Sequence, residues 1–297
     1  MSWQSDLLGA MLRLFAKPLL LSTRDPAKAR RRFDLAARWL FRAPPLTLTT
    51  RAHVGVPGLW VENRAREPGV VLFFHGGAYV IGSARTHAPM LAQLAARTRV
   101  RVFAPDYRLV PEHPFPAAFK DALACFDALI ARGYRPDEIV LGGDSAGGGL
   151  ALALFGKLCR DGRAPAGLFA FSPWTDLTLT GTSLVTNARR DQLLPADRLT
   201  EVRALVLGGA RPREASDPRL SPLYAAFPKA TPVQIHVAES EILRDDSLRM
   251  RKRLPDADIR LAGDLPHVWP LLHGFLPEAR TTLDETASFI RRLLSRS

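Results

Sequence analysis

Cysteine is almost missing from this chain: there are two in 297 residues, Cys125 and Cys159. Each lies inside an apolar helical pattern, DALACFDALI and ALFGKLCRDG. That placement predicts buried thiols in a reducing compartment, with a structural disulfide or a catalytic thiol as the lesser alternatives, so a cytoplasmic protein is expected. Lysine is scarce too, with six among 41 basic residues. The net charge of +12 would suit a nucleic-acid binder, but the arginines are scattered apart from short clusters such as Arg30-Arg31-Arg32. A nucleic-acid footprint needs its charge gathered on one element, so no such partner is expected. Long apolar runs are also lacking. The first 21 residues, MSWQSDLLGAMLRLFAKPLLL, come nearest, but Arg13 and Lys17 interrupt them well short of the about 18 residues of a membrane span. Asp6 precedes the apolar run and no basic segment does, which excludes a signal peptide and a stable membrane insertion. Gly9, Arg13 and Lys17 recur every four residues and leave a broad apolar face on a helix. That face is expected to pack on the protein itself, with docking on a membrane surface as the alternative.

What the chain does have is ordinary for a globular protein: 47% hydrophobic and 24% charged residues, which excludes disorder. After helical patterns over 3–21 and 25–42, Ala43-Pro44-Pro45 punctuates the chain. Strand-like runs follow at 46–54, 59–65, 69–74, 100–107, 138–143, 167–172, 233–238 and 258–263. Helical patterns fill most of the gaps, at 86–97, 116–132, 146–160, 244–254 and 278–294. The first two strands flank Gly-Val-Pro-Gly and should pair antiparallel; the rest alternate with helices, which predicts an α/β fold with a mostly parallel sheet covered on both faces. One gap of about sixty residues, between Ser172 and Val233, far exceeds a normal connection and holds a helix candidate at 195–207. Its length at the sheet's active edge suggests a lid formed with the N-terminal helices. The expected division is 1–45 cap helices, 46–179 first part of the core, 180–230 cap insertion, and 231–297 second part of the core.

The stretch EIVLGGDSAGGGLALAL carries the chemistry. Gly143-Asp144-Ser145-Ala146-Gly147 is G-x-S-x-G set between a strand and a helix, the context in which a serine occupies a sharp, strained turn. The glycines two residues either side let strand and helix nearly touch. Such a turn pushes the hydroxyl out at the carboxyl end of the sheet and aims a helix N-terminus at it, which favours developing negative charge. A phosphate-binding loop is the rival reading, but no Lys-Ser/Thr follows.

A serine needs a base, and the base an orienting acid, in chain order Ser, acid, His. His267, in LAGDLPHVWPLL, follows the last strand run, with His273 as the alternative. For the acid, Glu239, Glu241, Asp245 and Asp246 all follow the strand VQIHVA. Glu241 lies just past the strand end and before the next helix and is best placed; Asp245 is the alternative. Oxyanion donors are expected from the loop His75-Gly76-Gly77-Ala78 after the third strand, through the amides of Gly76, Gly77 and Ala78, together with that of Ala146. His75 precedes the serine, the wrong order for the base, and is expected to brace this loop.

Taken together, HGGAYVIGS, DYRLVPEHPFPAA, GDSAGG, SPWTDLT, DPRLSPLYA and PHVWP, in that order, resemble the hormone-sensitive-lipase family of esterases, also called bacterial lipase family IV. The resemblance runs from about Val54 onward. It implies an α/β-hydrolase fold with an eight-stranded sheet and helical cap, and hydrolysis of short to medium acyl esters, a small-molecule substrate, without metal or cofactor. Homodimers are common in that family. Three positions depart from its pattern: Glu241 stands where aspartate is common, Ala78 replaces the third glycine of the HGGG loop, and Gly149 replaces a frequent asparagine. Amide, lactone or formamide hydrolysis could use the same three residues. Some relatives, the plant gibberellin receptors, bind a small molecule after losing the histidine; His267 is present here.

Overall fold

The apolar runs assemble into one sheet. The computed structural model describes residues 2–63, 67–209 and 212–295. Its strands are β1 (Thr47–Val54), β2 (Val56–Asn63), β3 (Val70–Phe74), β4 (Arg101–Pro105), β5 (Ile139–Asp144), β6 (Gly167–Phe171), β7 (Val233–Ala238) and β8 (Asp258–Ala262). They lie in the order β1-β2-β4-β3-β5-β6-β7-β8. β1 pairs antiparallel with β2, and β2 with β4; every other pair is parallel. This is the α/β-hydrolase fold, as expected. The strand expected over 59–65 closes at Asn63, and its last two expected positions, 64 and 65, lie outside the described residues.

Burial explains the pattern. β3, β5, β6 and β7 are buried at every position, as parallel strands covered on both faces must be. Successive residues of β3 feed two cores, since side chains alternate across a strand. The helices in chain order are α1 (Trp3–Met11), α2 (Lys17–Ser22), α3 (Pro26–Leu40), α4 (Ala84–Thr98), α5 (Ala117–Ala131), α6 (Ser145–Arg160), α7 (Ser183–Thr186), α8 (Arg198–Leu207), α9 (Arg244–Arg249) and α10 (Pro277–Leu294). Val70, Leu72 and Phe74 meet Phe126 of α5 and Leu154 of α6 in one core. Val71 and Phe73 meet Leu91 of α4 and Ile290 of α10 in the other. α7 and α8 belong to the connection between β6 and β7. The helix expected over 195–207 begins at Arg198, and the one expected over 244–254 gives way at Met250 to a 3-10 turn.

The N-terminal helix corrects an expectation. α1 joins α2 through a π-helical turn at Leu12–Ala16, but apart from Leu8, half-buried against the cluster of Leu265 and Trp269, most of the apolar face does not pack on the protein. Its small and polar stripe does. Ser5 and Gly9 are buried, and a Cβ at Gly9 would lie 2.5 Å from Gln192 Oε1. Arg13 donates to the Arg190 carbonyl at 3.1 Å. Lys17 Nζ donates to the carbonyls of Ala188 at 2.9 Å and Asp191 at 2.7 Å. Trp3 and Phe15, on the opposite side, are each 70% exposed. The cause lies in the β6–β7 connection, whose irregular backbone leaves carbonyls without ladder partners. Covering them with an apolar surface would leave them unsatisfied, so a donor-bearing face is favoured there.

Candidate active site

β5 and α6 meet at Ser145, whose φ of +51° puts a non-glycine residue in the left-handed region. That conformation costs about 1–2 kcal/mol and persists only where the surroundings enforce it. They do so by contact: a Cβ at Gly147 would lie 2.1 Å from the Phe74 carbonyl, and one at Gly143 2.4 Å from that of Gly147. The Ser145 carbonyl accepts from the Trp174 amide at 2.9 Å. At Gly149, where the resembling family often has asparagine, a Cβ would lie 2.0 Å from the Trp174 carbonyl. The loop after β6 therefore lies directly against the α6 backbone.

From the serine, a chain of bonds runs inward. Ser145 Oγ lies 2.9 Å from His267 Nε2, and His267 Nδ1 lies 2.5 Å from Glu241 Oε2. A carboxylate can only accept, so Nδ1 carries the proton and Nε2 is left to accept from the serine hydroxyl. The second carboxylate oxygen, Oε1, accepts from the Ala238 amide and the Ser172 hydroxyl, each at 2.8 Å. Ser172 Oγ in turn accepts from the Val268 amide at 3.3 Å. Burial by itself would depress His267, but the charge and hydrogen bond of Glu241, with smaller contributions from Asp191 and Asp144, outweigh it and hold the imidazole above its ordinary value.

The other acids go elsewhere. Glu239 pairs with Arg244 at 3.3 Å. Asp245 accepts from the Ser183 amide at 2.8 Å and pairs with Arg244. Asp246 accepts from the amides of Thr175 and Asp176, and burial raises its carboxyl to about 7. His273 is buried; burial, Arg97 and Arg280 lower it to about 4. It takes no part in the bonds that join Ser145, His267 and Glu241.

The loop after β3 requires a correction. The Gly76 amide donates to Asp144 Oδ1 at 2.9 Å, so it is already engaged and is not a free oxyanion donor. The amides of Gly77, Ala78 and Ala146 are the remaining candidates. Ala146 lies in the first turn of α6, where amides have no intrahelical acceptor and the helix dipole is positive. Gly77 has φ +113° and Ala78 φ +56°, so alanine takes a backbone conformation that the replaced glycine would adopt freely. His75 braces the loop as expected: its Nδ1 donates to the Gly76 carbonyl at 2.9 Å, and its ring stacks on Tyr107 at 4.4 Å. Tyr107 donates its hydroxyl to the His75 carbonyl at 2.6 Å. Burial, helped by His87, lowers His75 to about 3 and keeps it neutral.

Several contributors escaped the sequence. Asp191 accepts from the Ile242 amide at 2.8 Å, while Asn187 Nδ2 donates to the carbonyls of Glu239 and Glu241 at 2.8 Å each. Both come from the β6–β7 connection and grip the turn that carries Glu241. Ser172 lies in SPWTDLT and bonds Glu241 across 69 positions of the chain. No local signal marks such residues, whose partners lie about fifty to seventy positions away.

The chain is similar to several known proteins. A family described as alpha/beta hydrolase fold matches residues 71–271. An esterase of Acinetobacter venetianus is 34% identical over 88% of this chain and 87% of its own. An acetyl-hydrolase of Streptomyces hygroscopicus is 33% identical over 84% and 83%. Among solved structures, an esterase of the bacterial hormone-sensitive lipase family superposes with a TM-score of 0.91 at 36% identity, covering 99% of both chains. EstE5 soaked with p-nitrophenyl butyrate does so with 0.91 at 31%, covering 99% of this chain and all of the other. The chain belongs to the hormone-sensitive-lipase family of carboxylesterases, within the α/β-hydrolase superfamily, and is a hydrolase of carboxylic esters.

Proposed function

We propose that the protein cleaves small esters of short to medium acyl chains through an acyl-enzyme formed on Ser145, with His267 as base and Glu241 as its orienting acid. The observation that carries this reading is the continuous bond chain Oγ–Nε2 at 2.9 Å and Nδ1–Oε2 at 2.5 Å. Ser145 Oγ attacks the ester carbonyl carbon while its proton passes to His267 Nε2. The carbonyl π electrons move to the oxygen, which the amides of Gly77, Ala78 and Ala146 receive. Collapse breaks the carbon–alkoxy bond, and the imidazolium returns its proton to the departing alkoxide. Water, deprotonated by His267, then releases the acid and restores the serine. Glu241 keeps Nδ1 protonated and stabilises the imidazolium, and Ser172 and the Ala238 amide hold Glu241 in place. A short acyl group is supported by the p-nitrophenyl butyrate soaked into EstE5 and by the acetyl-hydrolase among the relatives.

Residues 1–45 and 180–230 form the cap in this reading, since Lys17 and Arg198 tie the N-terminal helices to the β6–β7 connection. A cytoplasmic location fits two buried free thiols whose pKa values burial lifts to about 12 and about 11. Among the described residues no helix is long and apolar enough to cross a membrane. The test is hydrolysis of p-nitrophenyl acetate and butyrate by wild type and Ser145→Ala. A loss of roughly a millionfold is expected, and equal rates would end the proposal.

A further inference from the structure

Helix α1 and the π-helical turn that follows it present an apolar ridge that the described residues leave largely uncovered. Trp3, Leu7, Met11, Leu14 and Phe15 are 50–70% exposed and recur at helical spacing along one side. α3 adds Leu35 and Trp39, four residues apart and 58% and 76% exposed. Monomeric surfaces rarely expose apolar side chains so densely without an occupant. The charge around them identifies which occupant. Residues 1–48 carry nine basic and three acidic side chains, so about a sixth of the chain holds half of its excess of +12. Arg31 and Arg38 on α3 are exposed, while the cations of α1–α2 are spent on the protein's own carbonyls. Tryptophan, phenylalanine and leucine on one side of a helix, with exposed arginines on a second N-terminal helix, suit the boundary between headgroups and acyl chains of an anionic bilayer. A second copy of the chain suits it less, because a two-fold contact would set this basic region against itself.

We propose that the outward face of the N-terminal helices docks the protein peripherally on anionic phospholipid surfaces. The ridge enters the interface, and the arginines of α3 meet the lipid phosphates. This is surface attachment and not insertion across the bilayer. It is separate from the chemistry at Ser145, since none of these side chains belongs to the bond chain described above.

The test is co-sedimentation of the full chain with vesicles of phosphatidylcholine, with and without phosphatidylglycerol. Wild type should partition onto the phosphatidylglycerol vesicles, less onto phosphatidylcholine alone, and should be released as salt rises. Trp3→Ser/Leu14→Ser/Phe15→Ser should weaken binding about tenfold or more to vesicles of both kinds. Arg31→Glu/Arg38→Glu should weaken it only where phosphatidylglycerol is present. Both variants should still hydrolyse a soluble p-nitrophenyl ester at the wild-type rate, which certifies their fold. Three outcomes would overturn the proposal: no sedimentation of wild type with either vesicle, equal binding by the triple variant, or light scattering that shows a dimer abolished by the triple variant with no vesicle binding.

Discussion

Helices α6 and α1 each use a glycine to bring their backbone close to a neighbour, yet they obey opposite rules. α6 is buried nearly all round, and its N-terminal glycines let strand, helix and the loop after β3 come within contact of one another. α1 turns its glycine, serine and cations inward and its large apolar side chains outward. The difference lies in what each helix packs against. α6 meets a sheet whose backbone groups are already paired, so only apolar surface is wanted. α1 meets an irregular connection whose carbonyls need donors. An apolar stripe predicts the buried face of a helix only when the neighbouring layer has satisfied its own hydrogen bonds.

The sharpest way to test the site end of this contrast is to exchange the two acids nearest the turn after β7. Glu241→Gln should leave the fold intact and lower kcat roughly ten-thousandfold, because an amide no longer fixes the imidazole tautomer or stabilises its charge. Asp245→Asn, whose carboxylate serves Ser183 and Arg244, should change kcat little. The reverse ranking would remove Glu241 from its proposed role. One step smaller is Ser172→Ala, which takes a hydrogen bond from the Glu241 carboxylate. It should lower kcat about tenfold or more while KM holds, read from initial rates on a p-nitrophenyl ester.

The same substitution made in the two helices breaks the comparison directly. Gly147→Ala would place a Cβ 2.1 Å from the Phe74 carbonyl and 2.3 Å from that of His75, both backbone atoms that cannot step aside. It should cost about 3 kcal/mol or more, seen in denaturant unfolding. For Gly9→Ala the nearest atoms all belong to the Gln192 side-chain amide, the end of a flexible side chain held by one hydrogen bond to the Asp264 carbonyl at 2.9 Å. There, the gain in helix propensity offsets the contact, and the change should stay within about 1 kcal/mol. Similar losses at both positions would mean that α1 is as tightly fitted as α6.

These contrasts also mark how far the sequence could be read. Strands β3 to β8 were legible because each is a short apolar run between turn residues, and the serine because its elbow is entirely local. His267 and Glu241 followed from chain order and from their position after strand ends. Asp191, Asn187 and Ser172 were not legible, since their partners are set by how the β6–β7 connection folds back over the sheet. The engaged amide of Gly76 was hidden for a similar reason: the acceptor is a side-chain oxygen of Asp144, and nothing in HGGA reveals where that side chain points. The orientation of α1 was misjudged because periodicity reports that a face exists and not what it meets.

The subtlest expected effect joins the two regions through Asp191. Lys17 binds the Asp191 carbonyl, while the Asp191 carboxylate holds the Ile242 amide and contributes to the raised pKa of His267. The imidazole must be neutral to accept the serine proton, so kcat/KM should fall as pH drops through the raised histidine value. In Asp191→Asn a nearby negative charge is gone, the imidazolium is less favoured, and the acid limb of the kcat/KM profile should move to lower pH. An activity loss from loosening the Glu241 turn would lower the whole profile without displacing that limb. A limb that stays in place, or moves to higher pH, would show that the Asp191 charge does not support the imidazolium.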